Sequence, residues 1–406
     1  MVGSKAPAKV TINEMTTVAS VWTHAQFLDG AEVKGHALGL KIAAGNVPNF
    51  VDLATGGWGE AIQGPLNSGQ TTTMANFATL ADALAGCVTR VTPDACSKFY
   101  AAATPPTGSA PIDTLTAAQS IARAPWYQPE RVFGLLEAFY PIASGKTMRP
   151  VPFMPYLNWA PSAWVLPLKF DGGGYRAGGK AMFDSEGNLW VGDNFTVGWQ
   201  GQDSLWQGNA TKFSPNGKPL SPNTTGFAGG GMEGGTFGAA VDAKDNAWFT
   251  THGSKAIAVF DKHGKPLTPP EGINFGGKLG LMQGIIVTPS GDVWVLGIEK
   301  SQLVHFPKGD LTKGRIVCEG DSAEPCQSFK APFHLGIDQQ DRIWVSNSGV
   351  EHVTRFPAAD PSKVETFKTG INNSGMNIDS QGNVWVTNRF GTGLLGMFHL
   401  IDMGST

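Results

Sequence analysis

One nine-residue phrase recurs five times in the second half of this 406-residue chain, and it restricts the fold more than any other feature. It reads FDSEGNLWV at Phe183–Val191, VDAKDNAWF at Val241–Phe249, VTPSGDVWV at Val287–Val295, IDQQDRIWV at Ile337–Val345 and IDSQGNVWV at Ile378–Val386. Each copy runs from an apolar stretch through a turn rich in Asp, Gly and Asn into a second apolar stretch centred on Trp. That is the pattern of a β-hairpin. Trp190, Trp248, Trp294, Trp344 and Trp385 stand roughly 40–60 residues apart, the length of a blade in a repeat architecture.

A second landmark keeps the same beat. Phe213, Phe260, Phe306, Phe356 and Phe398 follow the successive Trp residues by 23, 12, 12, 12 and 13 positions. The flanks repeat as well: KFSPNGKPLSP (212–222) echoes VFDKHGKPLTP (259–269), and VHFPKGD (304–310) echoes TRFPAAD (354–360). Each unit therefore carries at least three strands, with a fourth expected near Arg315–Cys318 and Val364–Lys368. Radial repetition of such sheets is a β-propeller. The expected fold is mainly β, with five recognisable blades; six or seven stay open if degenerate repeats lie upstream.

Residues 1–150 read differently. Met74, Phe77, Leu80, Leu84 and Val88 recur at helical spacing, as do Val132, Leu135, Leu136 and Phe139. Thr116 and Gln119 have the spacing of a capping box, and Pro129 suits a first helical turn. The segment is expected to be helical and loop-rich, with four or five helices. Residues 151–162 are rich in proline and read as a linker to a β-propeller over 163–406. Ala163–Phe170 reads as a strand that pairs with Met397–Ile401 and closes the ring, since an open propeller leaves two bare sheet edges.

Charge bounds the partners. The formal net charge is −3, and no basic stripe or zinc-finger spacing appears, so nucleic acid is not an expected partner. No apolar run reaches the length of a membrane helix. The opening MVGSKAPAKV carries no apolar signal-peptide core. Four cysteines fall in two close pairs, Cys87 with Cys96 and Cys318 with Cys326, neither with zinc or redox spacing. Two local disulfides are expected, and with them a periplasmic or extracellular location.

Ligands of propellers bind where the innermost strands converge. Two tiers of residues are candidates there. One follows each Trp by three or four positions: Asp193 and Asn194, Thr251 and His252, Gly297, Asn347 and Ser348, Asn388 and Arg389, with Glu299 in the third copy, which is one residue out of step. The other opens the inner strand: Lys180, Gln283, His334 and Asn373, with Glu233 slightly upstream. The two tiers need not lie at the same end of the hairpins. Asp184, Asp242, Asp338 and Asp379 recur at the turns and are read as turn formers. A ring of amide and carboxylate oxygens suits a hard cation, which makes Asp193, Gln283, Asn347 and Asn388 candidate ligands of Ca²⁺ or another divalent ion. His252, His334 and Glu299 break the repeat and are the candidate catalytic groups.

The phrase at Ile378–Asn388, Ile-Asp-x-x-Gly-Asn-Val-Trp-Val-x-Asn, resembles the NHL-repeat and streptogramin-lyase-like propellers of exported bacterial proteins, and more distantly the calcium-dependent gluconolactonase and paraoxonase propellers. The resemblance covers about residues 163–406. It implies a divalent-metal-dependent hydrolase of lactones or related esters, acting on a small-molecule or glycan ligand at the channel mouth. Two alternatives stand beside it: a non-catalytic cell-envelope binding or scaffold propeller, and a metal-dependent streptogramin-type or polysaccharide lyase. Propellers host unrelated activities, so the site must decide.

Overall fold

The computed structural model describes residues 10–194, 208–388 and 398–401. They fall into two compact units, one of residues up to Phe170 with Pro215–Gly217, the other of Asp171–Ser214 and the chain from Lys218 onward.

The first unit is helical. Its elements are α1 (Glu14–His24), a short hairpin of β1 (Leu28–Asp29) and β2 (Glu32–Val33), α2 (Ala37–Phe50), α3 (Glu60–Gln63), α4 (Pro65–Ser68), α5 (Thr73–Val88), α6 (Ala95–Ala102), α7 (Thr114–Arg123), α8 (Pro129–Phe133) and α9 (Leu135–Phe139). The helical spacing from Met74 to Val88 is α5, whose Phe77, Ala81 and Leu84 sit in the centre of the core. Val132–Phe139 is not one helix: Gly134 ends α8 and opens α9. Pro129 does occupy the first turn of α8. The α7 cap is Asp113 rather than Thr116; its carboxylate accepts the Thr116 backbone N–H at 2.8 Å. An aspartate beats the downstream threonine because a charged acceptor also suits the helix N-terminus. Cys87 at the end of α5 is disulfide-bonded to Cys96 in α6.

The strand expected at Ala163–Phe170 is absent. The segment is extended but joins no sheet, and it packs in the helical unit with Trp164 buried in its core. Its backbone is held by side chains instead. Asn76 Nδ2 donates to the Val165 carbonyl at 3.1 Å, Thr73 Oγ1 to that of Pro167 at 2.5 Å, and the Lys169 N–H to Asn67 Oδ1 at 2.7 Å. Pro161 and Pro167 explain the failure, since a residue without an N–H cannot complete a ladder. Residues 151–162 pack in the same unit, where Leu157 is buried and Phe153 N–H donates to Asp82.

Among the described residues the second unit holds five antiparallel sheets, each a meander in chain order. They are β3 (Gly178–Phe183), β4 (Leu189–Asp193) and β5 (Ala210–Phe213); β6 (Thr236–Val241), β7 (Ala247–Thr251) and β8 (Ile257–Phe260); β9 (Met282–Val287), β10 (Val293–Gly297), β11 (Gln302–Phe306) and β12 (Arg315–Glu319); β13 (Pro332–Ile337), β14 (Arg342–Asn347), β15 (His352–Pro357) and β16 (Glu365–Lys368); and β17 (Asn373–Ile378), β18 (Val384–Asn388) and β19 (Phe398–Ile401). The first strands β3, β6, β9, β13 and β17 stand next to one another in succession, which is the inner-strand arrangement of a propeller. β19 pairs with β18; the partner expected for it lies in the helical unit, and Met397 is outside the described residues. The second disulfide, Cys318–Cys326, ties β12 to the loop that leads into β13.

Tryptophan glues neighbouring sheets. The Trp248 ring meets Phe306 of the next sheet at 5.3 Å, and Trp294 meets Phe356 at 6.2 Å, so the two repeating landmarks are one packing device. Trp190, Trp248, Trp294 and Trp344 are at most 1% exposed, whereas Trp385 in the last sheet is 40% exposed. Truncating one of the buried four would cost about 3–5 kcal/mol.

The repeated aspartates work at the hairpin turns. Oδ1 of Asp338 accepts the N–H groups of Gln340 and Arg342, while Oδ2 accepts Trp344 Nε1–H at 2.9 Å. Asp184, Asp242 and Asp379 take the Nε1–H of Trp190, Trp248 and Trp385 at 3.2, 3.0 and 3.0 Å. The fourth residue of each turn is left-handed, and it is Gly187, Asp245, Gly291, Asp341 or Gly382, residue types that tolerate positive φ. The third copy departs from this rule. Thr288 replaces the aspartate, Trp294 Nε1 is buried with no partner, and His305 stacks on the indole at 4.0 Å while reaching Asp292 at 3.3 Å.

Candidate ligand-binding site at the centre of the β unit

Both tiers of candidate residues lie at the same end of the hairpins, opposite the aspartate turns. The register pairs Gly178 with Asp193, Thr236 with Thr251, Met282 with Gly297, Pro332 with Asn347 and Asn373 with Asn388. The start of every inner strand therefore sits beside the end of its neighbour. The pairing is irregular there in every sheet, between Gly178 and Ala181, Thr236 and Ala239, Pro332 and His334, Asn373 and Met376, and on β10 between Val295 and Gly297. Such bulges re-aim side chains.

The third residue of each inner strand falls at this irregularity. It is Gly238, Gly284 and Gly375 in three sheets, but Lys180 and His334 in the other two. Glycine is required where backbones crowd: a Cβ on Gly238 would come within 2.4 Å of the Gln283 carbonyl oxygen, and one on Gly284 within 2.9 Å of that of Phe333. Hydroxyls on the second strands clip the crowded backbones together. Thr250 Oγ1 accepts the Gly238 N–H at 2.8 Å and donates to the Gln283 carbonyl at 2.9 Å. Ser346 Oγ accepts the His334 N–H at 3.1 Å and donates to the Ser374 carbonyl at 2.6 Å. Each of these two clips joins one sheet to the next, so the Gly238 and His334 bulges are tied by hydroxyls on the neighbouring strand.

Central side chains enclose a cavity of about 410 Å³, lined by Gly178, Gly179, Lys180, Phe237, Phe333, His334, Ser374 and Gly375. Phe237 and Phe333 meet edge to face at 5.1 Å and form an apolar wall. Among the described residues Lys180 is the one charged group of the lining, and its Nζ reaches only the Ile285 carbonyl, at 3.4 Å. Burial pulls its pKa down to about 8. Burial, with the Lys180 charge beside it, pulls His334 down to about 3, so the imidazole is neutral. Nδ1 of His334 accepts the Met376 N–H at 3.0 Å. The ring proton must then sit on Nε2, a donor that is buried without a partner among the described residues.

Of the residues expected to act in catalysis, His334 alone lines this cavity. His252 hydrogen-bonds through Nε2 to Gln283 Oε1 at 2.7 Å, and burial lowers its pKa against the partial offset of that bond. Glu299 is exposed, pairs with Lys255 at 2.9 Å and accepts the Leu281 N–H at 3.0 Å; the Lys255 bond holds its pKa low.

The expected metal ligands are spread over different sheets, and three of them hold protein partners. Asp193 is buried and takes the Arg176 N–H at 3.0 Å, Asn209 Nδ2 at 2.6 Å and Thr211 Oγ1 at 3.2 Å; burial pushes its pKa up against these bonds. Asn347 donates to Thr354 Oγ1 at 3.0 Å and accepts the Lys330 N–H at 3.3 Å. Gln283 gives its amide oxygen to His252. Asn388 ends β18 with a buried Oδ1 that has no partner among the described residues. Among the described residues no group of three or more His, Cys, Asp or Glu side chains could hold a metal ion. Arg389 lies outside the described residues. No helix among the described residues is long and apolar enough to cross a membrane.

No family model matches the chain, and no curated protein matches it. Among solved structures it is similar to a nidogen–laminin complex at 15% identity and a TM-score of 0.38, over 51% of this chain and 70% of that one. It is similar to a catalytically inactive virginiamycin B lyase from Staphylococcus aureus with quinupristin, at 15% identity and a TM-score of 0.38, over 57% of this chain and 71% of that one. A streptogramin B lyase structure follows at 14% identity and a TM-score of 0.37, over 59% and 72%. Likeness at this level says nothing about substrate or activity, and the chemistry must be read from the cavity itself.

Proposed function

We propose that the β unit is a binding propeller for a small organic anion, a molecule with a carboxylate or similar acceptor group on an apolar body. The observation that supports this reading is the ammonium of Lys180, which lines an aromatic-walled cavity with no carboxylate among its described lining residues. An ammonium in a site of low polarity attracts an anion and repels a cation. The Nε2–H of His334 is a second donor for the same acceptor group. The edge-to-face pair Phe237 and Phe333 supplies apolar contact for the ligand body. No step of this reading passes through a divalent ion, and Asp193, Asn347 and Gln283 are engaged with Asn209, Lys330 and His252. The two disulfides support an oxidising, exported setting for the protein.

Calorimetric titration with benzoate tests the reading, with benzyl alcohol as the uncharged counterpart. Benzoate should bind at one saturable site, and Lys180→Met should weaken it by about tenfold or more, the worth of one charge-assisted contact. Equal affinity for the alcohol, or an unchanged benzoate affinity in Lys180→Met, would reject it.

A further inference from the structure

Lys180 has a second chemical capacity, and this inference rests on the cavity being a ligand site. Most protein ammonium groups are held by a carboxylate or by water. The Nζ of Lys180 has only a distant carbonyl oxygen, that of Ile285, and no carboxylate among the described residues. It stands at the register shift of its sheet, at a position where three of the five described sheets carry glycine. The lining also carries Phe237, Phe333 and the neutral His334, whose Nε2–H has no partner among the described residues.

We propose that Lys180 is a nucleophilic amine that captures aldehyde- or ketone-bearing ligands as an imine. The lone pair of the amine forms a bond to the carbonyl carbon, and one nitrogen proton passes to the oxygen, giving a carbinolamine. The hydroxyl then leaves with the second nitrogen proton as water, and the C=N bond forms. The step consumes no oxidant or reductant. His334 is a positioning residue: its Nε2–H is the donor available to the carbonyl oxygen while negative charge builds there. A pKa near 8 leaves a useful share of Lys180 uncharged at neutral pH, as nucleophilic lysines in apolar pockets require.

The probe is 4-formylbenzoate with cyanoborohydride at pH 7.5, which reduces an imine to a stable secondary amine; peptide mass mapping then locates the adduct. Lys180 should label about tenfold faster than the exposed Lys313 and Lys363, because a depressed pKa raises the reactive fraction. Lys180→Arg keeps the charge and removes the nucleophile, so it should still bind the unreactive 4-(hydroxymethyl)benzoate while losing the fast adduct. If Lys180 labels no faster than the exposed lysines while 4-(hydroxymethyl)benzoate still binds in a Lys180-dependent way, the imine inference is overturned and the anion site stands. If neither molecule binds nor labels at Lys180, both readings fall together.

Discussion

The two ends of the same five hairpins obey different rules. At the turn end the sequence is monotonous: four of five turns place an aspartate under a tryptophan Nε1, and each carboxylate makes the same set of bonds. At the bulge end the same strands differ from sheet to sheet, with Lys180, Gly238, Gly284, His334 and Gly375 at equivalent positions. Repetition marks a part that every blade needs for its own stability. Variation at a fixed geometric position marks where side chains have been freed from that duty. Hydroxyl clips from Thr250 and Ser346 take up that duty at the Gly238 and His334 bulges.

The largest effect to expect lies outside the hairpins and must be separated from them. Asp82 in α5 is buried, and burial pushes its pKa up to about 7 against the bond from Phe153 N–H. The folded carboxyl holds its proton where the unfolded one, near 3.8, has lost it. The folded helical unit thus binds more protons between pH 4 and 7, and its stability should fall as pH rises through that window, by on the order of 4 kcal/mol. Urea unfolding across the window measures it, and Asp82→Asn should flatten the slope. Unfolding that is independent of pH in the parent protein would show that Asp82 is ionised when folded.

Next comes the turn end. Asp338→Ala removes the acceptor of Trp344 Nε1, of Arg342 and of two backbone N–H groups, and should cost about 3 kcal/mol. Benzoate affinity of the folded variant should stay within about twofold of the parent, because the turn is at the far end of the strand. A variant that stays folded yet loses binding would break the division between the two ends.

Lys180→Met should do the reverse, with at least about a tenfold loss of benzoate affinity and melting unchanged or raised, because an ammonium in a poorly solvated site costs stability. The pH dependence follows the same residue. Anion binding should hold through neutral pH and decline as pH rises past about 8, where Lys180 loses its charge. His334, already neutral above about 3, should add no further step.

The smallest effect concerns the third sheet, the exception at the turn end. Thr288→Asp offers Trp294 Nε1 the acceptor it lacks and should add about 1 kcal/mol, the net worth of one hydrogen bond. A clear loss would mean that the His305 stack on Trp294, with Asp292 beside it, is a complete substitute.

These contrasts show what was legible in the sequence. The hairpins, both disulfides and the turn role of Asp338 could be read directly, because each depends on local spacing or on repetition. Asp193 and Asn347 read as members of a ring of oxygens suited to a hard cation, and in the structure each holds side-chain partners near its strand end. Lys180 stood among the inner-strand candidates without a role. Its meaning comes from Gly238, Gly284 and Gly375 at the same bulge, and a bulge leaves no mark in the pattern of apolar residues. Ala163–Phe170 misled for the opposite reason. Its apolar pattern suits a strand, but Trp164 is a core residue of the helical unit and Pro167 interrupts any ladder.

The central claim is that the bulge end of the β unit holds an organic anion on Lys180, and crystals soaked in 4-iodobenzoate test it most directly through the anomalous signal of iodine. The account predicts one iodine site at the centre of the inner strands, with the carboxylate within hydrogen-bond distance of Lys180 Nζ and the ring against Phe237 and Phe333. Iodine found only at the aspartate turns or on the helical unit, in crystals whose central cavity is open to solvent, would contradict it.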